Sequence, residues 1–558
     1  MIRTTLLSLI FSLAIASAQP RIFYSDLESG PNQGGEGGRG AYVTVYGQGF
    51  GAERGSSTVT VGGGRVAAYP IWTDTKIAFQ LGSTAVTGDI AVNASGSGPS
   101  NGMPFTVRPG TIYFAGPRGS DGGSGKFEAP WKTLLKARQA MKPGDIVYAL
   151  DGLAQTTDDG EGWNTCFLLR VGGTPGKPIA VVVYPGATAT MGNVKGPGSA
   201  IRSMEQSPGH WVFAGFIMRA DNATVALYGS TDWRFVANDM SCPNGDSASA
   251  CFETGLTTHV KLLGNTVHDA GKVNASALYH GVYFSTDSNH IEIGWNSIYN
   301  IRGCRGIHFH SSPLQGGGPK DPTGRNQFDL SVHDNVIHDT QCDGIIFATV
   351  DPSKGKVEVY NNIIYNAGKG PATPENSGNW SCIYVGGYTN TGAPGSGVVE
   401  IYNNTFANCG TFATPPYRDA QNAVQFGGSN PAMSVQIRNN IFLQPRGIPY
   451  TTTYNSKGTC TPGDQCKGIF GSNNLFFGNG PAPSNNVLVN SIHRDPNFVN
   501  AAANDYRLQS TSPARGAGIA TGLQVDKNGV KRPQGAGSDL GAYQYVSPGN
   551  AQNSRKVQ

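Results

Sequence analysis

The sequence predicts an all-β chain in which a short β-sandwich precedes a long parallel β-helix. Three observations predict it. Between about Thr257 and Asn440 one pattern of alternating apolar and polar residues ending in Asn returns six times, at Val260–Asn265, Ile291–Asn296, Leu330–Asn335, Val357–Asn362, Val399–Asn404 and Val435–Asn440. Alternation of that kind marks strands, and its recurrence marks a repeat architecture. The closing Asn residues are 31, 39, 27, 42 and 36 residues apart; this variable interval excludes helical solenoids of fixed period and suits β-helix coils whose loops differ in length. Finally, Gly is abundant, at 78 of 558 residues, and only 14% of residues are charged, as in a turn-rich exported β protein.

From the start, residues 1–18 read as a secretory signal peptide: Arg3, an apolar run from Leu6 to Ala16, then the small residues Ala16-Ser17-Ala18 before the expected cut. No later run reaches the ~18 apolar residues needed to span a bilayer, so a secreted protein without a membrane span is expected. The net charge of +4 is small, and without a Lys/Arg block it gives no sign of nucleic-acid binding.

Residues 19–109 carry short alternating strands separated by Gly-rich turns, the pattern of a β-sandwich. The run Val45 to Phe50 with its Gly47-Gln48-Gly49-Phe50, then Val59 to Gly63 and the closing Ser100 to Val107, resembles the immunoglobulin-like IPT/TIG module of bacterial surface and secreted proteins. Tyr69 and Trp72 in this module are read as core packing, with a sugar-binding platform as the other reading.

Residues 110–546 are assigned to the β-helix. Pro130 is placed for the first turn of a short helix with Trp131, Leu134, Leu135 and Ala137 or Arg138 on one side, which would cover the open end of the first coil. This order resembles the start of secreted right-handed parallel β-helix proteins of the polysaccharide lyase and glycoside hydrolase type. The segment from Gly471 to Tyr543 resembles their closing segment, departing from it at Ala514-Arg515-Gly516. Residues 547–558 read as a disordered tail. The Asn column is expected to be scaffold, left-handed at the bends and hydrogen-bonded from coil to coil, with Gly215 and Asn238 at the same bend position in earlier coils.

Nine cysteines in an exported chain permit disulfides. Cys304 and Cys342 stand two residues before Gly306 and Gly344 of matched strands, so they should lie on adjacent coils, either bridged or stacked. Cys242 with Cys251 and Cys460 with Cys466 could close local loops.

Residues facing outward at matching positions of successive coils form surface columns, where a site must be built. One column reads Tyr283, His308, Ile346, Tyr384, Gln425; the next reads Ser285, His310, Ala348, Gly386, Gly427; a third, just before the strand, reads His280, Arg305, Asp343. Arg305, His308 and His310 thus gather on one patch beside Tyr283, His280 and Asp343, with Lys320 and Arg325 in the long loop that follows. Elimination across a uronate needs a base, a cation for the charge developing on the carboxylate, and an acid for the leaving oxygen. His308 or His310 is the candidate base, Arg305 the clamp and Tyr283 the acid, with His280, Tyr384, Lys320 and Arg325 as substrate contacts. The resemblance implies a polysaccharide partner; an acidic one follows from this chemistry. Related lyases often use calcium, which leaves a calcium cofactor open here.

Other readings remain. Arg305 and Asp343 form a surface ion pair if the patch is inert. A glycoside hydrolase would need two carboxyl groups across the cleft, with Asp343 paired to Glu253 or Asp287, although the facing of Glu253 is not fixed by the pattern. A non-catalytic glycan-binding protein would use Tyr283, Trp380, Tyr384 and Tyr388. A monomer is expected.

Overall fold

The computed structural model describes residues 19–204, 208–311, 327–371, 380–386, 396–413, 421–427, 432–455, 458–459, 468–479, 487–533 and 537–547. The expected leader, Lys320, Arg325, Tyr388, Cys460, Cys466 and the tail beyond Ser547 lie outside these residues.

Among the described residues, successive coils build three long sheets. The first has 13 strands, from Ile112–Ala115 to Val487–Val489; the second has 11, from Ala154–Gln155 to Leu475–Phe477; the third has 11, from Thr165–Leu169 to Gly458–Thr459. Neighbouring strands are parallel except at the end of the third sheet, where Thr451–Asn455 turns back on Gly458–Thr459. This is a parallel β-helix. Alternation turns Val, Ile and Phe inward, and aromatic side chains stack along the interior, as Phe284, Phe309 and Phe347 do at centroid distances of 5.4 and 5.2 Å.

The bends between the first and second sheets hold a ladder of eight asparagines: 238, 265, 296, 335, 362, 404, 440 and 474. The Nδ2 of each donates to the Oδ1 of the next at 2.9–3.1 Å. Each Oδ1 after the first also accepts the preceding Asn backbone N–H, as Asn335 accepts from Asn296 at 2.9 Å. Buried amides are thereby satisfied at every coil. One expectation is corrected: the left-handed residue stands one position before the ladder Asn. Trp295, Asp334, Asn361, Asn403 and Asn439 have φ between 54° and 57°. Gly215, at φ 83°, occupies that position rather than the ladder position, where Phe216 stands and donates its N–H to Asn238 Oδ1.

The helix Leu134–Ala140 caps the first coil, with Leu134 and Ala137 in the main core. Its start also differs from expectation. Thr133 is the N-cap, accepting Lys136 N–H at 3.1 Å, and Pro130 lies before the helix because the cap hydroxyl sets the first turn.

Two of the three sheets are covered by the chain itself. The N-terminal sandwich pairs a four-stranded sheet with a six-stranded one and shares a core with the outer face of the first sheet, where Val43 and Phe79 join Ile146, Tyr148 and Val182. Tyr148 Oη donates to Tyr42 O at 2.7 Å, and Arg234 Nη1 meets Glu28 Oε1 at 2.7 Å. The C-terminal segment covers the second sheet, packing Phe498, Tyr506, Leu508 and Leu540 on Ile363, Tyr365, Ala407 and Ile441. The left-handed asparagines hold it: the amides of Asn361, Asn403, Asn439 and Asn473 donate to the carbonyls of Val525, Asp539, Ile519 and Ala517.

Disulfides join Cys242 to Cys251 and Cys304 to Cys342, with Cα separations of 5.5 and 4.7 Å. A third, not expected from the sequence, joins Cys382 to Cys409. Cys166 is a buried thiol. Among the described residues no helix is long and apolar enough to cross a membrane.

Candidate active site

The outer face of the third sheet carries the expected columns. Strand register pairs Tyr283 with His308, His308 with Ile346, Ile346 with Tyr384 and Tyr384 with Gln425. It continues the column the other way through Glu253 and Ala226 to Arg202. The adjacent column pairs Ser285 with His310. Arg305 and Asp343 accept backbone hydrogen bonds from Gly281 and Gly306 of the preceding coils, which places them one coil apart beside His280.

These columns line an open groove of about 600 Å³, with Arg202, Glu253, His280, Tyr283, Arg305, His308 and His310 along it and Leu278 and Ile346 as apolar walls. The rings form a tight cluster. Tyr283 stacks on His308 at 4.8 Å, His280 meets His308 edge-on at 4.4 Å, and Tyr283 Oη lies 3.5 Å from His310 Nδ1.

Burial sets the electrostatics. His280 and His308 are held well below the ordinary imidazole value, first by burial and then by neighbouring positive groups, Arg305 among them. Burial, then Arg305, brings His310 to about 4. All three imidazoles are therefore neutral at pH 7 and can accept a proton. Tyr283 is pushed up to about 12 by burial, with Glu253 adding to the shift, so its phenol keeps its proton. Burial also raises Glu253 and Asp343 above the usual carboxylate range.

The arrangement leaves polar atoms unsatisfied. His280 Nδ1, His308 Nδ1, Arg305 Nε and Asp343 Oδ2 are buried without a hydrogen-bond partner. Arg305 Nε and Asp343 Oδ2 stand 3.7 Å apart, beyond hydrogen-bond reach. Buried polar atoms are satisfied in the great majority of cases, so the gathering of these four around one groove makes it the candidate site.

Asp343 is not on the surface. Its side chain is fully buried, with Oδ1 accepting from Ser381 N at 3.0 Å and Ser381 Oγ at 2.6 Å, so the pair with Arg305 is an interior one. The Cys304–Cys342 bridge immediately precedes both partners and braces their coils. Tyr384 lies beyond the groove, buried with Ile346 and Ala348. Trp380 is fully buried. Among the described residues no group of three His, Cys, Asp or Glu side chains is placed to hold a metal ion.

Residues 28–107 match the IPT/TIG domain family. Residues 328–524 match a family described as disaggregatase related. No curated protein matches the chain. Among solved structures, a pectate lyase, Pel9A, is similar at 17% identity over 78% of this chain and 96% of its own, with a TM-score of 0.42. A rhamnogalacturonan lyase is similar at 17% identity over 77% and 96%, with a TM-score of 0.39. A Yersinia enterocolitica family 28 exopolygalacturonase is similar at 11% identity over 86% and 97%, with a TM-score of 0.41. At those identities and TM-scores none of these likenesses assigns a chemistry to this chain.

The IPT/TIG module docks on the first sheet, so it does not build the groove on the third. Its Tyr69 and Trp72 meet edge-on at 5.6 Å; Tyr69 Oη accepts Val59 N–H at 2.8 Å and Trp72 Nε1 donates to Phe50 O at 3.2 Å. Both rings serve the module's own packing.

Sequence reasoning left the facing of Glu253 open and missed Arg202. The ladder alone could not supply them: Glu253 stands 15 residues after Asn238 but Tyr283 stands 18 after Asn265, so the loops differ and only strand pairing places Glu253 beneath Tyr283.

Proposed function

We propose that the protein is an exported enzyme that cleaves an acidic, uronate-containing polysaccharide by β-elimination in this groove. The observation that carries the reading is the set of buried, neutral imidazoles beside Arg305, with polar atoms of His280, His308 and Arg305 left unsatisfied. A neutral imidazole is a competent base, and a planar guanidinium suits a carboxylate.

In this reading His308 or His310 takes the proton on the carbon next to the uronate carboxylate. Arg305 stabilises the charge that moves onto that carboxylate. The carbon–oxygen bond to the leaving sugar breaks as a carbon–carbon double bond forms, and the leaving oxygen takes the Tyr283 proton. One product carries an unsaturated uronate, and water is not consumed. The disulfides fit export to an oxidising compartment.

Hydrolysis fits less well. It needs two carboxyl groups across the cleft, and among the described residues Glu253 is the one carboxylate that lines it, Asp343 being sealed beneath. The test is incubation with a panel of acidic polysaccharides, followed by ultraviolet absorbance. Unsaturated product is expected, and His308→Ala or His310→Ala should lower kcat about 10²–10⁴-fold. New reducing ends without that absorbance would sink the elimination reading. Full activity in both variants would remove the histidines from the mechanism.

A further inference from the structure

The groove does not end at the histidines. Beyond Tyr283 the outward column runs through Glu253 and Ala226 to Arg202, three coils away, or about 14 Å at the usual strand spacing. Ala226 is small and leaves a recess between two charged neighbours. In the coil before Arg202 the same column holds Leu168, which is fully buried. The loop carrying Asp159 covers it, with Asp159 Oδ2 accepting Leu168 N–H at 2.7 Å. The groove is thus closed at this end by the loop that also carries Trp163.

Trp163 is 41% exposed, the one exposed aromatic side chain among the described residues, and the Arg202 guanidinium stands over its ring at 5.4 Å. Among the described residues no carboxylate lies within 4 Å of the Arg202 guanidinium, and Glu253, two coils along the column, is the carboxylate that feels its charge. Leu278, another of the few exposed large apolar side chains, stands on the wall of the same groove. An indole face offers stacking area to a sugar ring, and the guanidinium beside it offers two donors to a carboxylate.

We infer that Trp163 and Arg202 form a terminal subsite that binds an acidic sugar unit of a chain lying along the helix axis, about three coils from Tyr283. The inference rests on the reading of the groove as a uronate-polymer site. It makes a length-dependent demand: only an oligomer long enough to reach from Tyr283 to Trp163 can use the subsite. The geometry also explains why the Arg–Trp pair is left at the groove's end and not covered.

The test is binding, measured by calorimetry on the whole protein, with oligogalacturonates and oligomannuronates from dimer to hexamer and with cellohexaose as the uncharged probe. For an acidic series that binds, Trp163→Ala and Arg202→Gln are each expected to weaken the pentamer and hexamer about tenfold, equivalent to ~1.4 kcal/mol, and to leave the dimer unchanged. Equal affinities in wild type and both variants at every length would overturn the subsite. So would loss of cellohexaose binding in Trp163→Ala with no effect of Arg202→Gln on the acidic series. Binding of neither acidic series to the wild type would overturn both the subsite and the reading beneath it. Trp163-dependent binding without any unsaturated product would keep the subsite and sink the elimination chemistry; unsaturated product with Trp163-independent binding would do the reverse.

Discussion

Replacing His308 by Gln should flatten the acid dependence of stability. A histidine whose folded pKa lies below its free value of about 6.5 binds its proton more readily in the unfolded chain. Its stabilising contribution is complete above that pH and is lost on acidification at about 1.4 kcal/mol per pH unit, until the folded pKa is reached. His308 is buried, orphaned at Nδ1 and held well below the ordinary value by burial, then by His280 and Arg305, so the loss sets in as pH falls below about 6.5. A single histidine can lose at most about 2.3 kcal/mol over the two units below pH 6.5, because at that pH the slope is only half its full value. Other groups titrate in or near the window with the opposite sign. Asp26 and Asp526, raised to about 6 by burial, stabilise at low pH and lose that contribution as pH rises through 6. Comparing wild type with His308→Gln at each pH cancels them. Urea unfolding at pH 6.5 and pH 4.5 should therefore show the variant gaining on wild type between the two conditions, by up to about 2 kcal/mol. Parallel pH curves would mean that His308 titrates as in water, and the buried, neutral cluster would be refuted.

The same burial predicts the pH–rate profile: with His310 at about 4, the acid limb of kcat/KM should fall near pH 4 rather than near 6.5, and Tyr283 at about 12 should give no alkaline loss up to pH 9. Asn335→Ala removes the Oδ1 that accepts Asn296 N and Nδ2, and the Nδ2 that donates to Ile293 O and Asn362 Oδ1. With buried backbone groups orphaned, it should cost about 3 kcal/mol in urea unfolding. Cys304→Ser should cost ~2–4 kcal/mol by opening a cross-link between residues 38 apart, and should lower activity by loosening Arg305 against Asp343.

The coils and their register were legible because they obey short-range rules. Alternation fixes which residues face inward, and the Asn repeat fixes where each coil bends, so the Tyr283–His308–Ile346–Tyr384–Gln425 column could be written from the pattern. Depth was not legible. Asp343 occupies the expected column yet is sealed by Ser381, because a side chain before the strand can fold under the next coil, and alternation does not report this. The left-handed position was misplaced by one residue for a related reason: both bend positions favour Asn, as in Asn361-Asn362, and only the hydrogen bonds tell the ladder residue from its neighbour. The Cys382–Cys409 bridge was missed because Cys382 lies on the strand Trp380–Gly386 and Cys409 in the turn after Thr405–Ala407 of the next coil, positions that share no local pattern.

The strongest argument for the groove comes from its contrast with a second, larger cleft. Beside the IPT/TIG module, along the first sheet, lies a cleft of about 770 Å³ rich in charged side chains. There the charges are spoken for: Glu28 takes both Arg234 and Lys261, His290 meets Asp329 at 3.1 Å, and His333 meets Asp334 at 2.9 Å. The Glu28 pairs tie the module to the helix and the histidine pairs lie within the helix, so the charges there already have partners, Trp233 Nε1 being the buried donor left over. In the smaller groove His280 Nδ1, His308 Nδ1 and Arg305 Nε are buried without a hydrogen-bond partner, Arg305 keeping only its looser 3.7 Å pairing with Asp343. The first sheet is covered by the module and the second by the C-terminal segment, while the third, among the described residues, leaves its outer face open along the groove from Arg202 to His310. Volume alone would choose the other cleft; the gathering of unpartnered imidazole and guanidinium nitrogens favours this one.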